Sequence, residues 1–450
     1  ARSLLSLSRD QLMKKVAPNG KIDNHALEKH QYAAHGFAWI ATYVETLHQL
    51  TEWGVRLNED KEFNDREKLL LQIGIGEFCA QISGGIPISQ AELVRPSDIG
   101  ITSHQLDLFL KGAARKLISS NTSDAHMAFA KMIDDSFSDG NYGSLGIDDE
   151  MLMIVRDQFR RFSDERVIPY CHEWHLKDQL IPMEIIDQMS KLGVFGLTIP
   201  EKWGGLGMSK IAMCVVTEEL SRGYIGVGSL GTRSDIAAEL IQLGGTNAQK
   251  ENYLPRIGSG EILPTAVFTE PNTGSDLGSL STRAKLNNNE YLITGNKTWI
   301  THASRSDLMT ILVRTDAKKE GYKGLSMLLA EKPRGTDVNP FPATGMSGGE
   351  IPVLGYRGMK EYELRFENFP VPAANLLGEQ EGCGFKQLMA TFESARIQTA
   401  ARAIGVAQNA LELGHKYAKE RIQFGKKIYD FPRIARKISW MAIETMMARQ

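Results

Sequence analysis

The 450-residue sequence predicts an α+β protein in which helical regions flank a β-rich segment, and three observations carry that prediction. Apolar side chains recur at three- and four-residue spacing through residues 1–133 and 150–260, the period that lays one apolar stripe along a helix. Between about 261 and 378 the period shifts towards two, in short runs rich in β-branched and aromatic residues. From residue 379 the helical spacing returns and continues to Gln450.

In chain order, residues 1–148 read as a helical extension, carried by HALEKHQYAAHGFAWIATYVETLHQLTEWGV and EKLLLQIGIGEFCAQI. Its end, DDSFSDGNYGSLGIDD (Asp134–Asp149), is rich in Gly, Ser and Asp and predicts a linker. Residues 149–260 form a second helical domain, with MLMIVRDQFRRFSDERVIP, PMEIIDQMSKLGVFGL and AMCVVTEELSR as its helices. Residues 261–378 predict an antiparallel β domain built from YLITGNKTWIT, SDLMTILVRT, GLSMLLAEK and YELRFENFPV. Residues 379–450 form a C-terminal helical domain whose pattern meets no Gly, Asn or Pro stop signal, so it is expected to be incomplete at Gln450.

Composition narrows the function. Hydrophobic residues make up 42% and charged residues 24%, as in a globular protein, and no apolar run approaches the ~20 residues that span a bilayer. A formal net charge of -2, with basic residues scattered among acidic ones, gives no field to recruit nucleic acid. The four cysteines lie far apart without a CxxC pair, which argues against a zinc site or a disulfide framework and suits a reducing cytoplasm.

Two motifs carry possible chemistry. FTEPNTGSDLGS (Phe268–Ser279) puts turn-forming Pro271, Asn272, Gly274 and Gly278 beside hydroxyls and the Glu270 carboxylate. That composition suits either a surface connection or a loop that wraps a polar ligand. GVGSLG (Gly226–Gly231) matches the GxGxxG spacing but follows the helical AMCVVTEELSR, so the strand-loop-helix setting of a dinucleotide fingerprint is missing.

Over residues 150 to 450 the chain resembles the acyl-CoA dehydrogenase family. The resemblance rests on LGVFGLTIPEKWGGLG, EELSRG, NYLPRIGSGE, FTEPNTGSD, ITGNKTWITHAS, FPVPAANLLGE and KERIQFGK, in that order. The helical extension resembles a branch of the family that carries extra N-terminal residues. The family implies FAD, held by the backbone around Phe268 and Thr269, by Ser275 where flavin phosphate and acyl-CoA meet, by Trp299 as an aromatic wall and by Thr301 as a donor near the ring's reactive nitrogen. It also implies that Arg421, with Gln423 and Phe424 beside it, reaches the FAD pyrophosphate of a neighbouring subunit, hence a homodimer or higher homo-oligomer. Pro432 stands where many relatives have a Gln, which puts that local contact in doubt.

The implied reaction is α,β-dehydrogenation of an acyl-CoA thioester, with an electron-transferring flavoprotein as electron acceptor or, alternatively, oxygen as in an oxidase. Glu393 and Arg396 in FESAR, which share a helical face and could equally be a solvated ion pair, would contact the CoA part. Isovaleryl-type relatives place the α-proton base just before the Arg of that motif. Here the residue is Ala395, so the base is unknown and a Glu after Gln450 is expected. The expected substrate is a short branched acyl-CoA. A free carboxylate on it would need a cation near the end of the acyl pocket, and Arg233 is the candidate, with an ordinary surface arginine as the alternative.

Overall fold

A computed structural model of the chain describes residues 1–135 and 142–450. In chain order the first helices are α1 (Arg2–Val16), α2 (Asn24–Lys29), α3 (Gln31–Glu59) and α4 (Asp65–Gly84). A minimal hairpin, β1 (Ile86–Pro87) with β2 (Leu93–Val94), separates them from α5 (Ser103–Leu110), α6 (Ala113–Ser120) and α7 (Ser123–Asp135). Next come α8 (Glu150–Phe162), α9 (Ile168–Leu176), α10 (Met183–Lys191), α11 (Lys210–Gly223), α12 (Ile225–Gly244) and α13 (Asn247–Gly258). The strands are β3 (Pro264–Val267), β4 (Arg283–Asn287), β5 (Glu290–Thr301), β6 (Leu308–Arg314), β7 (Leu325–Glu331), β8 (Met346–Ile351) and β9 (Glu361–Pro372). The chain closes with α14 (Gly384–Glu420), the hairpin of β10 (Ile422–Gln423) and β11 (Lys426–Lys427), and α15 (Pro432–Arg449).

Contacts divide the chain into two compact units, 1–148 with 407–450 and 149–406, so the boundary falls inside α14. The first unit packs Leu50, Trp53, Leu57, Leu70, Phe129 and Ile133 of the early helices against Leu411, Ile438, Ile443 and Met446 in one apolar cluster. Part of the expected linker, residues 136–141, lies outside the described residues. Its neighbours are not free chain. Asp134 lies in the last turn of α7, Tyr142 is buried in the cluster, and Ser144 both donates its amide to Glu67 Oε1 (3.1 Å) and accepts from Trp53 Nε1 (3.1 Å). Glycine-rich composition reports turn propensity, whereas burial of a bulky indole needs a hydrogen-bond partner that a nearby backbone supplies.

In the second unit the sheet runs β3-β6-β4-β5-β9-β8, with β7 also on β6. The β4–β5, β5–β9, β8–β9 and β6–β7 pairs are antiparallel, as expected, but β3 and β6 pair in parallel, which an alternating pattern does not reveal. The expected first helix of this unit divides into α8 and α9 at Ser163–Val167, where one wider π-type turn intervenes.

Candidate active site

The loop Phe268–Ser279 leaves the sheet directly after β3, and a buried ion pair fixes its root. Lys297 Nζ, on β5, lies 3.1 Å from Glu270 Oε1 and also donates to the carbonyls of Phe268 (2.8 Å) and Leu312 (2.9 Å). Glu270 further accepts from Ser281 N (2.7 Å), Ser281 Oγ (2.8 Å) and Thr282 N (2.8 Å). Burial alone would raise its pKa, yet Lys297 and these donors hold it down at about 2. The Glu270 carboxylate, grouped in the sequence with the ligand-facing polar residues, therefore points inward and ties the loop down.

Beyond this root, Pro271, Asn272, Gly274, Ser275 and Asp276 are exposed, while Thr273, Leu277 and Gly278 are buried. Thr269 O accepts from Thr298 N (3.0 Å), so the Phe268 and Thr269 carbonyls both meet protein donors. Ser275 is exposed. A Cβ built at Gly274 would touch only Thr269 Cγ2 at 3.8 Å, whereas one at Gly278 would press on the Tyr322 ring at 3.0 Å. Small residues here serve two different ends: Gly278 admits a protein ring, and Gly274 leaves space.

Beside the loop, β5 is irregular. Its register against β9 shifts between Lys297 and Ile300, and Trp299 within that shift has φ 58° and is 55% exposed. A left-handed conformation is costly for a bulky residue, and here the bulge turns the indole out of the sheet. Two residues on, buried Thr301 is paired directly opposite Glu361 on β9, and its hydroxyl donates to Glu361 Oε1 at 2.7 Å. Glu361 is raised above the usual carboxylate range, first by burial, with the Thr301 hydroxyl and Arg233 opposing. His302 follows with φ 64°, buried and with both ring nitrogens unpaired among the described residues. Burial, then Arg305, Arg334, Lys332 and Arg233, push it down to about 3, so its ring is neutral at pH 7.

Arg233 itself is no surface residue. It extends from α12 to Tyr356 Oη (3.2 Å) and Ser229 Oγ (3.5 Å), where it meets Arg402 from α14, whose Nη1 lies 2.8 Å from each of the same two hydroxyls. Arg402 Nη2 also donates to Thr399 Oγ1 (2.9 Å), and the Ser229 and Tyr356 hydroxyls bond to each other. Tyr356 reaches inward from the segment ahead of β9 with φ 56°. Burial would raise its phenol, but Arg233 and Arg402 bring it below its ordinary value. Among the described residues neither arginine has a carboxylate within salt-bridge distance, and both Nε atoms are buried without a partner. Two half-buried guanidiniums that share neutral hydroxyls keep donor capacity for an anion, which makes them a candidate anion site.

The remaining sequence-derived residues lie elsewhere on the elements. Gly226–Gly231 sits inside α12 and makes no nucleotide loop. Its glycines admit protein, since a Cβ at Gly226 would lie 3.0 Å from the Arg357 carbonyl and one at Gly231 would lie 3.0 Å from Val194 Cγ1. Glu393 and Arg396 are exposed on α14, with the Arg396 guanidinium 5.9 Å from the Phe392 ring centre rather than on Glu393, and Ala395 between them is half-buried. Arg421, Gln423 and Phe424 project from the β10–β11 hairpin in the other unit, Phe424 with φ 51° and 94% exposed.

The arrangement of helical, β and helical parts around this loop is matched by three family models, acyl-CoA dehydrogenase N-terminal domain over 149–261, middle domain over 265–369 and C-terminal domain over 382–450. The chain belongs to the acyl-CoA dehydrogenase family. It is an FAD-dependent oxidoreductase of that family. It is 59% identical over 450 residues to (2S)-methylsuccinyl-CoA dehydrogenase of Cereibacter sphaeroides, all of this chain and 81% of that protein. It also resembles butyryl-CoA dehydrogenase from Megasphaera elsdenii, with a TM-score of 0.61 and 30% identity over 66% of this chain and 76% of that one. A structure described as the electron transferring flavoprotein of Acidaminococcus fermentans matches with a TM-score of 0.61 and 31% identity, covering 66% and 76%. Within the acyl-CoA dehydrogenase frame, Glu361, Arg402, Tyr356 and Ser229 are the residues that sequence reasoning missed. The contacts Thr301–Glu361, Arg402–Ser229 and Arg402–Tyr356 span 46 residues or more, and no local pattern marks such pairings.

Proposed function

We propose that the chain oxidises methylsuccinyl-CoA to mesaconyl-CoA, and that the Arg233–Arg402 pair receives the free carboxylate of the acyl group. One observation carries the reading: two guanidiniums converge on Ser229 and Tyr356 with no carboxylate on either. The 59% identity to a (2S)-methylsuccinyl-CoA dehydrogenase supports it. The free carboxylate of the acyl group would exchange its water for two planar donors and gain a charge-assisted contact on each.

The cofactor site in this reading consists of Phe268, Thr269, Ser275, Trp299 and Thr301. They fit a flavin, because the space beside Gly274 is open, the outward Trp299 offers an aromatic face, and the loop turns its carbonyls to the protein so that donors remain for ring acceptors. Bound FAD would supply the hydride acceptor for the β carbon. The chain's own residues bind and orient: Lys297 and Glu270 hold the loop, and the arginine pair fixes the distal end of the acyl group. Glu393 and Arg396, exposed on α14, are proposed to meet the CoA moiety. Arg421, Gln423 and Phe424 are proposed to complete the FAD site of a second copy in a homodimer, since an almost fully exposed Phe424 suits an interface residue. Electrons are proposed to leave to an electron-transferring flavoprotein, in the cytoplasm.

The test is anaerobic flavin bleaching and turnover with methylsuccinyl-CoA and with an uncharged branched acyl-CoA of equal length. Expected is a marked preference for the dicarboxylate, which Arg402→Gln abolishes while sparing the uncharged analogue. Equal kcat/KM on both substrates in the unaltered protein would remove the assignment.

A further inference from the structure

Thr301 has a single hydroxyl hydrogen, and in this structure it is given to Glu361 at 2.7 Å. A hydroxyl that donates to a carboxylate can only accept from anything else it meets. This conflicts with the role of donor to an oxidised flavin ring, whose reactive nitrogen is an acceptor. Conversely, a protonated Glu361 would donate to Thr301 Oγ1 and release the hydroxyl hydrogen to a second acceptor. The pair is a cross-strand neighbour on β5 and β9, both residues are buried, and the groups facing Glu361 are the Thr301 hydroxyl from β5 and the Arg233 guanidinium from α12.

We infer that Glu361 is a positioning residue that sets the direction of the Thr301 hydroxyl and so couples proton binding in the site to the oxidation state of the flavin. The inference rests on the reading that Thr301 lies against the ring. With oxidised flavin the favoured arrangement has Glu361 protonated and Thr301 donating to the ring. With reduced flavin the ring nitrogen carries a hydrogen and becomes a donor, so Thr301 turns to accept from it, donates to Glu361, and favours the carboxylate. The balance is two electrons and one proton taken up by the ring, and one proton released by Glu361 to solvent. Burial raises Glu361 and so favours its protonated form, and the carboxyl-to-hydroxyl contact across β5 and β9 passes that state to Thr301.

The measurement is the flavin midpoint potential of the holoenzyme by spectroelectrochemistry from pH 6 to 9. Uptake of one proton per two electrons is a tenfold change per pH unit, about 30 mV. The unaltered protein should show a flatter segment in this range, where release from Glu361 cancels that uptake. Glu361→Gln and Thr301→Val should each restore the full slope throughout in FAD-loaded protein, with an unchanged denaturation midpoint reporting intact folding. An infrared difference spectrum, oxidised minus reduced, should contain a protonated-carboxyl band that disappears in Glu361→Gln. A full slope in the unaltered protein, or one steeper than in Glu361→Gln, overturns the inference, because it means that Glu361 releases nothing or gains a proton on reduction. If Thr301→Val leaves both the visible flavin spectrum and the potential unmoved in FAD-loaded protein, the placement of Thr301 fails. If that variant shifts them while Glu361→Gln leaves the slope unchanged, only the Glu361 inference fails.

Discussion

Two clusters of buried charge in the same unit are built in opposite ways. At the root of the loop, Lys297 is surrounded by the Glu270 carboxylate and two carbonyls, and Glu270 by a lysine, a hydroxyl and two amides. At the helix side of the site, Arg233 and Arg402 share two hydroxyls and leave their Nε atoms unpaired. A buried charge costs several kcal/mol unless paired, so the first cluster is complete as folded and the second is left for an anion to finish. In the proposed function, that difference separates residues that hold the fold from residues that would hold a substrate.

The most severe way to break the comparison is to unbalance the complete cluster. Lys297→Met leaves Glu270 buried without its cation, and the expected loss is about 3 to 5 kcal/mol of unfolding free energy with loss of FAD, read by denaturant titration and flavin absorbance. The double variant Lys297→Met, Glu270→Gln should recover part of that loss, since no unpaired charge remains. At the incomplete cluster the order reverses. Arg402→Gln removes a charge that repels its neighbour, so stability should stay within about 1 kcal/mol, while kcat/KM for the dicarboxylate falls roughly 30- to 1,000-fold, the effect of losing one hydrogen-bonded charge partner.

Acid sharpens the contrast. Glu270 is held at about 2 in the folded protein, below its ordinary 4.5, so it contributes stability that is fully present above the ordinary value and disappears as pH falls through about 2. Denaturation midpoints measured between pH 5 and 2.5 should therefore fall more steeply for the unaltered protein than for Glu270→Gln. A guanidinium carries no acid-range proton to lose or gain, so Arg402→Gln should run parallel to the unaltered protein.

What the sequence disclosed follows the range of the interaction. Helical spacing located α3, α4, α11 and α14, and the run ITGNKTWIT located β5, because each depends on neighbours within a few residues. Arg233 drew notice only as a candidate cation for an acyl carboxylate, and the glycines of the preceding GVGSLG stretch accommodate Val194 and the Arg357 carbonyl. Arg402, Tyr356 and Glu361 gave no local signal. Their significance exists only once α12, α14 and the segment ahead of β9 converge, and the parallel pairing of β3 with β6 is hidden for the same reason.

The smallest effect is expected at Ser275, which belongs to neither cluster. Its side chain is exposed and lies on the outward part of the loop, beyond the anchored root at Phe268–Glu270. Ser275→Ala removes one hydroxyl from a solvated position, where a neutral hydrogen bond to a ligand is worth about 1 kcal/mol, so FAD affinity should weaken only about fivefold and stability should not change. Ser275→Leu adds bulk next to the space left by Gly274 and should weaken FAD further while the denaturation midpoint still holds. Equilibrium dialysis of FAD against both variants measures this. Equal affinity in Ser275→Leu and the unaltered protein would move the cofactor away from the outward face of the loop, and a fall in stability in either variant would show that Ser275 acts with the anchored root after all.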